Sequence, residues 1–310
     1  MMLARVADSL YWIGRYIERA EHCARLSEVM LNATLDATAA QAAQIAAAAV
    51  GGVGIEEAAS PMALARALTL NRENPGSVIM SLSSARENAR QVRDQITTET
   101  WERLNLLYLR AIGPRAAATF RADPPAFLSE IVSDLHLFKG AADATMSHGE
   151  GWRFMMCGMH LERSLLISRL LGASFGSRAA VIDDAPSLVG LLRMACALEP
   201  YLRVYTADLN PRFILQFLLF DEEFPRSIRY CTAAIDRHLA YLCQGRERGS
   251  LDPVRLAGRL NARLAYADID EVQAQGAEVL LGAVEDEGRA IHEAMYESFV
   301  AYPLEARLPT

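Results

Sequence analysis

Residues 14–26 read GRYIERAEHCARL, and residues 158–170 read GMHLERSLLISRL. Each has a glycine four residues before a Glu-Arg pair, with an Arg-Leu pair seven residues after the glutamate. Ile13 and Ile17 of the first stretch are matched by the apolar Cys157 and Leu161 of the second. Spacings of four and seven keep residues on one face of a helix, so both stretches are predicted to be helical. Adjacent residues on a helix point about 100° apart, so Glu18 and Arg19 do not pair with each other, and neither do Glu162 and Arg163. Each charge needs a partner from elsewhere in the chain.

The two stretches are related by a constant offset of 144, and a second pair of segments repeats further on. NPGSVIMSLSSARENARQVR from Asn74 aligns without gaps on NPRFILQFLLFDEEFPRSIR from Asn210, at an offset of 136. Shared there are Asn-Pro, Leu82/Leu218, Glu87/Glu223, Arg90/Arg226 and Arg93/Arg229. Two matching blocks in the same order point to a duplicated helical unit divided near residue 147, with repeats at 1–147 and 148–310. Period-3.6 patterns run through both and no sustained alternation appears. Helices are predicted near 2–30, 33–49, 60–71, 75–98, 100–111, 125–147, 150–171, 187–206, 211–221, 226–244, 252–266 and 268–300. Gly and Pro clusters punctuate them, among them GGVG at 51, IGPR at 112 and DDAP at 183. The expected fold is all-α: a single helical-bundle-like domain of two tandem, pseudo-symmetric repeats. Asn74 and Asn210, each followed by proline, are expected to cap helices. Pro225 should break or kink the helix in which it falls.

The chain of 310 residues is 52% hydrophobic and 22% charged, a globular composition. A net charge of −7 argues against a general nucleic-acid binder. No stretch approaches the ~20 apolar residues of a membrane span, and charges interrupt the N-terminal segment, so a cytoplasmic location is expected. Five cysteines lack any Cys-x-x-Cys pairing and read as reduced core thiols. Cations are almost all arginine; Lys139 is the only lysine.

On a helical wheel Tyr11, Gly14 and Arg25 lie near the direction of Glu18, Arg15 and Arg19 form a neighbouring stripe, and Ile13, Ile17, Ala20 and Ala24 form an apolar one. Glu18 is therefore expected at the edge of the buried face, with Gly14 permitting a close approach one turn earlier. Two arrangements fit. In the first, Glu18 pairs with Arg163 and Glu162 with Arg19, each neutralising a charge that would be costly to bury alone. In the second, the arginines line a pocket for a carboxylate or phosphate, and Glu18 or Glu162, with a raised pKa, moves a proton. No metal or cofactor is implied. No Glu-x-x-His of a di-iron bundle occurs, and His136, His148 and His160 lack the close pairing of a zinc site. A separate arginine stripe, Arg86, Arg90 and Arg93 at i, i+4 and i+7, runs beside Glu87 and Asp94. It reads as a solvated face or as a site for an anionic peptide, a phosphate or an acidic partner.

ARVADSLYWIGRYIERAEHCARL, NPGSVIMSLSSARENARQVRDQITTETWERLN, TMSHGEGWRFMMCGMHLERSLLISRLL and FLLFDEEFPRSIRY together resemble the bacterial alpha-E proteins, named for an α-helical domain with a recurrent Glu-Arg motif. Carried over, the signature falls on Glu18, Arg19, Glu162 and Arg163. A second block falls on Arg86, Glu87, Asn88, Arg90, Arg93 and Asp94, and a third on Phe224, Pro225, Arg226 and Ser227. Before the Gly-Trp pair, relatives usually carry an acid preceded by a basic residue; here the stretch is His148, Gly149, Glu150. The resemblance implies partnership with a circularly permuted ATP-grasp ligase, often beside a transglutaminase-like cysteine peptidase, in systems that build or trim short peptides. The expected function is an accessory, non-catalytic subunit binding that ligase or its peptide product. The alternative is an enzyme acting on a peptidyl or acyl-phosphate intermediate through the Glu-Arg pairs.

Overall fold

Helix starts are written in short polar side chains. Ser60, Ser77, Thr97, Asp123, Asp184, Asn210, Ser227, Asp252 and Asp268 each accept a hydrogen bond from a backbone N–H of the first turn. Several are followed by proline in the first turn, where the missing N–H costs nothing. Such caps contribute about 1 kcal/mol each.

The computed structural model describes residues 2–33, 39–50, 60–176, 182–206, 208–245 and 252–301, and among these no strand occurs. The helices are α1 (Ala4–Ala33), α2 (Ala39–Ala49), α3 (Pro61–Leu70), α4 (Val78–Gln91) and α5 (Thr98–Ile112). There follow α6 (Ala116–Ala122), α7 (Pro124–Thr145), α8 (Glu150–Phe175), α9 (Ala185–Met194) and α10 (Leu198–Val204). The last are α11 (Pro211–Phe220), α12 (Ile228–Leu242), α13 (Pro253–Ala265), α14 (Ile269–Gln275) and α15 (Ala277–Phe299). The all-α expectation holds. Two expected helices are split: 187–206 at Ala195–Ala197, where Cys196 takes a left-handed backbone (φ 55°), and 268–300 at Gly276 (φ 91°). The short α6 is an addition, and residues 51–59, with the GGVG cluster, lie outside the described residues.

At the centre α1 and α8 pack on each other. Helices α3, α4 and α7 surround α1, whereas α12 and α15 flank α8, and α2 touches both central helices. Leu10, Ile13, Ile17, Leu26 and Met30 of α1 and Met155, Leu161 and Leu170 of α8 are fully or almost fully removed from solvent. Each contributes about 1.5–3 kcal/mol. Ala42, Ala46 and Ala49 of the alanine-rich α2 are buried as well, since small side chains let that helix lie close.

Glycine sets the α1–α8 crossing. A Cβ on Gly14 would strike the Met155 carbonyl oxygen and lie 2.8 Å from the Met159 nitrogen. One on Gly158 would strike the Tyr11 carbonyl oxygen and lie 2.9 Å from its carbon. Tyr11 and Met155 are themselves 144 apart, so the contact is reciprocal.

Asn74 does not open a helix. Its Oδ1 accepts from Gly76 N, its Nδ2 donates to Ala67 O, and Ser77 caps α4 instead. Asn210 does cap α11, accepting from Arg212 N. The segments aligned at an offset of 136 therefore occupy different structures: one is a loop and the other a helix start. The segments with the same geometry are Asn71–Ser77 and Asp221–Ser227, at an offset of 150. Asn71 and Asp221 accept from the N–H of Glu73 and Glu223, and the Ser77 and Ser227 hydroxyls donate to the carbonyls of Asn71 and Asp221. Both serines then cap the next helix. Pro75 and Pro225 sit at the same place in the two loops, so Pro225 falls after α11 has already ended.

Candidate functional site

Half-way along α1 the polar residues turn inward. Arg15, Glu18, Glu21 and His22 are all buried, because α8, α4 and α7 cover α1 on several sides. Glu18 is not at the edge of the buried face, as its wheel position implied; it is 1% exposed.

The two Glu-Arg pairs answer each other across the crossing. Arg163 grips Glu18 with two nitrogens, Nε at 3.0 Å and Nη2 at 2.5 Å. Arg19 donates from Nε to Glu162 at 2.8 Å. Around this reciprocal core the surroundings of the two glutamates differ. Arg15 takes the other oxygen of Glu162 at 2.5 Å and also donates to the Tyr11 hydroxyl, which is hydrogen-bonded to His292. On the opposite side Lys139 of α7 bridges Glu18 and Glu21, and Arg226, from the loop before α12, pairs with Glu21. Arg25 and His136 complete the shell of Glu21 at 2.9 and 3.1 Å. Arg163 also donates to the Pro225 carbonyl (2.9 Å), tying the loop to the centre.

Burial alone would push these carboxyls up, but the guanidinium and ammonium groups outweigh it. Arg163, Lys139 and Arg226 hold Glu18 well below the usual carboxylate range. Arg226 and Lys139 do the same for Glu21, and Arg15 and Arg19 lower Glu162. The expectation of a raised carboxyl pKa is thus reversed. A carboxylate so acidic has no proton to give near neutrality and accepts one poorly, which makes it a weak acid–base catalyst.

Buried histidines add a pH dependence. Burial pushes His22 and His238 down to about 4, and His160 well below its ordinary value. Below pH ~6.5 the unfolded chain takes up these protons first, so the stability they contribute is complete above that value and disappears as the pH falls toward 4. For His22 the full window corresponds to about 3 kcal/mol. The three glutamates add a further loss below pH ~4.5, since their folded pKa values are depressed. The melting temperature is therefore expected to fall steeply between pH 7 and 5; a flat profile there would contradict neutral buried histidines.

Of the residues singled out in the sequence, Glu18, Arg19, Glu162, Arg163 and Arg226 meet in this centre. Arg86, Glu87, Asn88, Arg90, Arg93 and Asp94 do not; they lie along α4 and the turn after it. There Arg86 donates to Asn105 and stacks over Tyr108 and Trp101, while Arg93 stacks over Trp101. Arg90 pairs with Glu87 in solvent, Asn88 accepts from Val92 N, and Asp94 accepts from Gln95. Glu150 accepts from the Met2 backbone N–H at the start of α8, a structural contact. Arg15, Glu21 and Lys139 were missed. Arg15 and Glu21 stand three residues either side of Glu18, on its face, and Lys139 is distinguished only by being the sole lysine.

Two cavities flank the centre. One, of about 410 Å³, lies between the end of α1 and α9–α10 and is lined by Arg25, Glu28, Arg193 and Glu199. The other, of about 180 Å³, lies against Arg19 and Glu162 beneath the Asn74–Gly76 turn. No group of three or more His, Cys, Asp or Glu side chains able to hold a metal occurs among the described residues, and none of their helices is long and apolar enough to cross a membrane.

The Alpha-E family profile, described as "a predicted alpha-helical domain with a conserved ER motif", matches residues 2–300. Similar curated sequences include proteins of Mycobacterium bovis and of two strains of Mycobacterium tuberculosis, each described as uncharacterized. Identity is 28% over 319 residues, covering 90% of this chain but 35% of theirs. The chain therefore spans about a third of the length of these relatives. No solved structure matches.

Proposed function

Since the chain belongs to the Alpha-E family, we propose that it is an accessory, non-catalytic helical subunit serving an ATP-grasp-type peptide ligase, by binding the ligase or its peptide product. The observation that carries this reading is the reciprocal ion pairing. Both signature glutamates are buried, ionised and saturated by arginine or lysine, so the signature acts as a clasp between α1 and α8. The mycobacterial relatives support it as well. In each, the matching segment is only 35% of a longer chain, as suits a module that works beside other domains. The same reading gives it a cytoplasmic location and, as a second partner, a transglutaminase-like cysteine peptidase. The halves 1–147 and 148–310 are read as two copies of one helical unit, on the strength of the reciprocal glycine contacts and the matching loops at 71–77 and 221–227.

Reconstitution tests the proposal. The purified chain is expected to turn over nothing alone, to co-sediment with the ligase, and to change the yield or length of its peptide products as read by mass spectrometry. Turnover by the chain alone, or a ligase that neither binds it nor responds to it, would overturn the reading.

A further inference from the structure

The two matching loops differ at one position that decides what stands beside each Glu-Arg pair. In the second loop that position is Arg226, whose guanidinium reaches into the centre and pairs with Glu21. In the first it is Gly76, and the space without a side chain is the cavity of about 180 Å³ beside Arg19 and Glu162. Arg19 donates to Glu162 through Nε, and among the described residues its terminal nitrogens have no hydrogen-bond partner. Arg169, at the same cavity, is 41% exposed at its side chain, and among the described residues its one ion pair is a 3.5 Å contact to Glu285. Glu162, the one carboxylate among the described residues of the wall, already has both oxygens engaged. The rest of the wall includes the apolar side chains of Val50, Leu68 and Leu166.

The centre as a whole carries more positive than negative charge. Glu18, Glu21 and Glu162 face Arg15, Arg19, Lys139, Arg163 and Arg226, with Arg25 left to be shared with Glu28. Cations buried in excess of their counter-charges favour an incoming anion. The larger cavity does not offer the same attraction, because Glu28 and Glu199 offset Arg25 and Arg193 in its lining.

We propose that the Gly76 cavity binds a small oxyanion attached to an apolar group, with Arg19 and Arg169 holding the anion and Val50, Leu68 and Leu166 receiving the apolar part. The chemistry fits the carboxylate end of an aliphatic amino acid or peptide. At about 180 Å³ the space is below the ~300 Å³ of drug-sized sites and suits one terminal residue. An arginine fork is suited to carboxylate and phosphate alike. The site stands on its own geometry and does not require the ligase partnership.

Calorimetric titration of the full chain tests it with three probes: N-acetyl-leucine, its uncharged amide, and inorganic phosphate. N-acetyl-leucine is expected to bind saturably, and the amide at least about tenfold more weakly, the effect of losing one charge-assisted hydrogen bond. Phosphate that binds in competition and more tightly would keep the oxyanion site and make phosphate its preferred occupant. Gly76→Arg, which places in this loop the side chain found in the other, should abolish binding. A Cβ there would press on Asn74 Oδ1 at 3.3 Å, so that side chain must shift by a few tenths of an ångström. Arg169→Gln should weaken binding about tenfold with an unchanged melting temperature, and it decides the matter alone if Gly76→Arg fails to fold. No saturable binding of either anion, equal binding of the amide, or undiminished binding in the folded variants would overturn the proposal. None of these results bears on whether the chain engages a ligase, which is measured with the ligase present.

Discussion

Gly14→Ala is expected to lower the melting temperature by roughly 5–10 °C, corresponding to about 3 kcal/mol or more for a chain of this size. The direction runs against local propensity. Alanine is better than glycine in a helix interior by about 1 kcal/mol, so an unconstrained site would gain stability. Gly14 is not such a site. The added methyl would meet the backbone of α8 at Met155 and Met159, and backbone cannot rotate away as a side chain can. Either α1 and α8 separate, loosening the core between them and lengthening the Glu18–Arg163 and Glu162–Arg19 pairs, or the helices distort. Gly158→Ala should behave alike, since its methyl meets the Tyr11 carbonyl. Gly140, exposed on α7, where a Cβ would meet no described residue within 4 Å, is the internal control. There alanine should be neutral or stabilising by about 1 kcal/mol. Thermal denaturation of the three variants measures the contrast. A stabilised Gly14→Ala would mean that the helices do not cross at these glycines.

What was legible in the sequence followed from residues whose physics is local. Helix class came from the 3.6 period, and the cap at Asn210 came from its place just ahead of first-turn proline. The Gly-x-x-x-Glu-Arg repeat was legible because close approach and buried charge each demand a specific residue type. Misreadings arose where the cause was tertiary. Asn74 and Asn210 have the same neighbour, proline, yet only Asn210 caps. In the first loop Ser77 takes the capping role, and Asn74 instead holds the turn through Gly76 and Ala67. That exchange also misled the alignment: identical letters at an offset of 136 outweighed the matching geometry at 150, where the only shared identities in the seven-residue loops are Glu73/Glu223, Pro75/Pro225 and Ser77/Ser227. The arginine stripe on α4 has the spacing of a site, but stacking on Trp101 and Tyr108 commits two of its three arginines to the outer surface. Lys139 reaches Glu18 from α7, across 121 residues of chain, and no period or motif announces a contact of that kind.

Glu18→Gln is expected to destabilise the fold by roughly 3–5 kcal/mol, the range for removing one partner of a buried ion pair. Glutamine has nearly the same shape, so packing is preserved and the loss isolates charge. Arg163, Lys139 and Arg226 would remain beside Glu18's position, with Glu21 the nearest carboxylate left to answer the latter two. An exposed pair provides the scale. Arg90 and Glu87 are side by side in solvent, and Glu87→Gln should leave the denaturation midpoint essentially unchanged. A double substitution separates pairing from general loss: Arg163→Met combined with Glu18→Gln should be less damaging than the two effects summed, because neither leaves the other's charge stranded. Urea denaturation of the singles and the double yields the coupling directly. The same variant discriminates between the roles open to the signature. A catalytic glutamate would tolerate the amide with little change in stability while activity vanished, whereas a clasp loses stability first. Near-wild-type denaturation for Glu18→Gln would therefore remove the structural reading, and with it the grounds for calling the subunit non-catalytic.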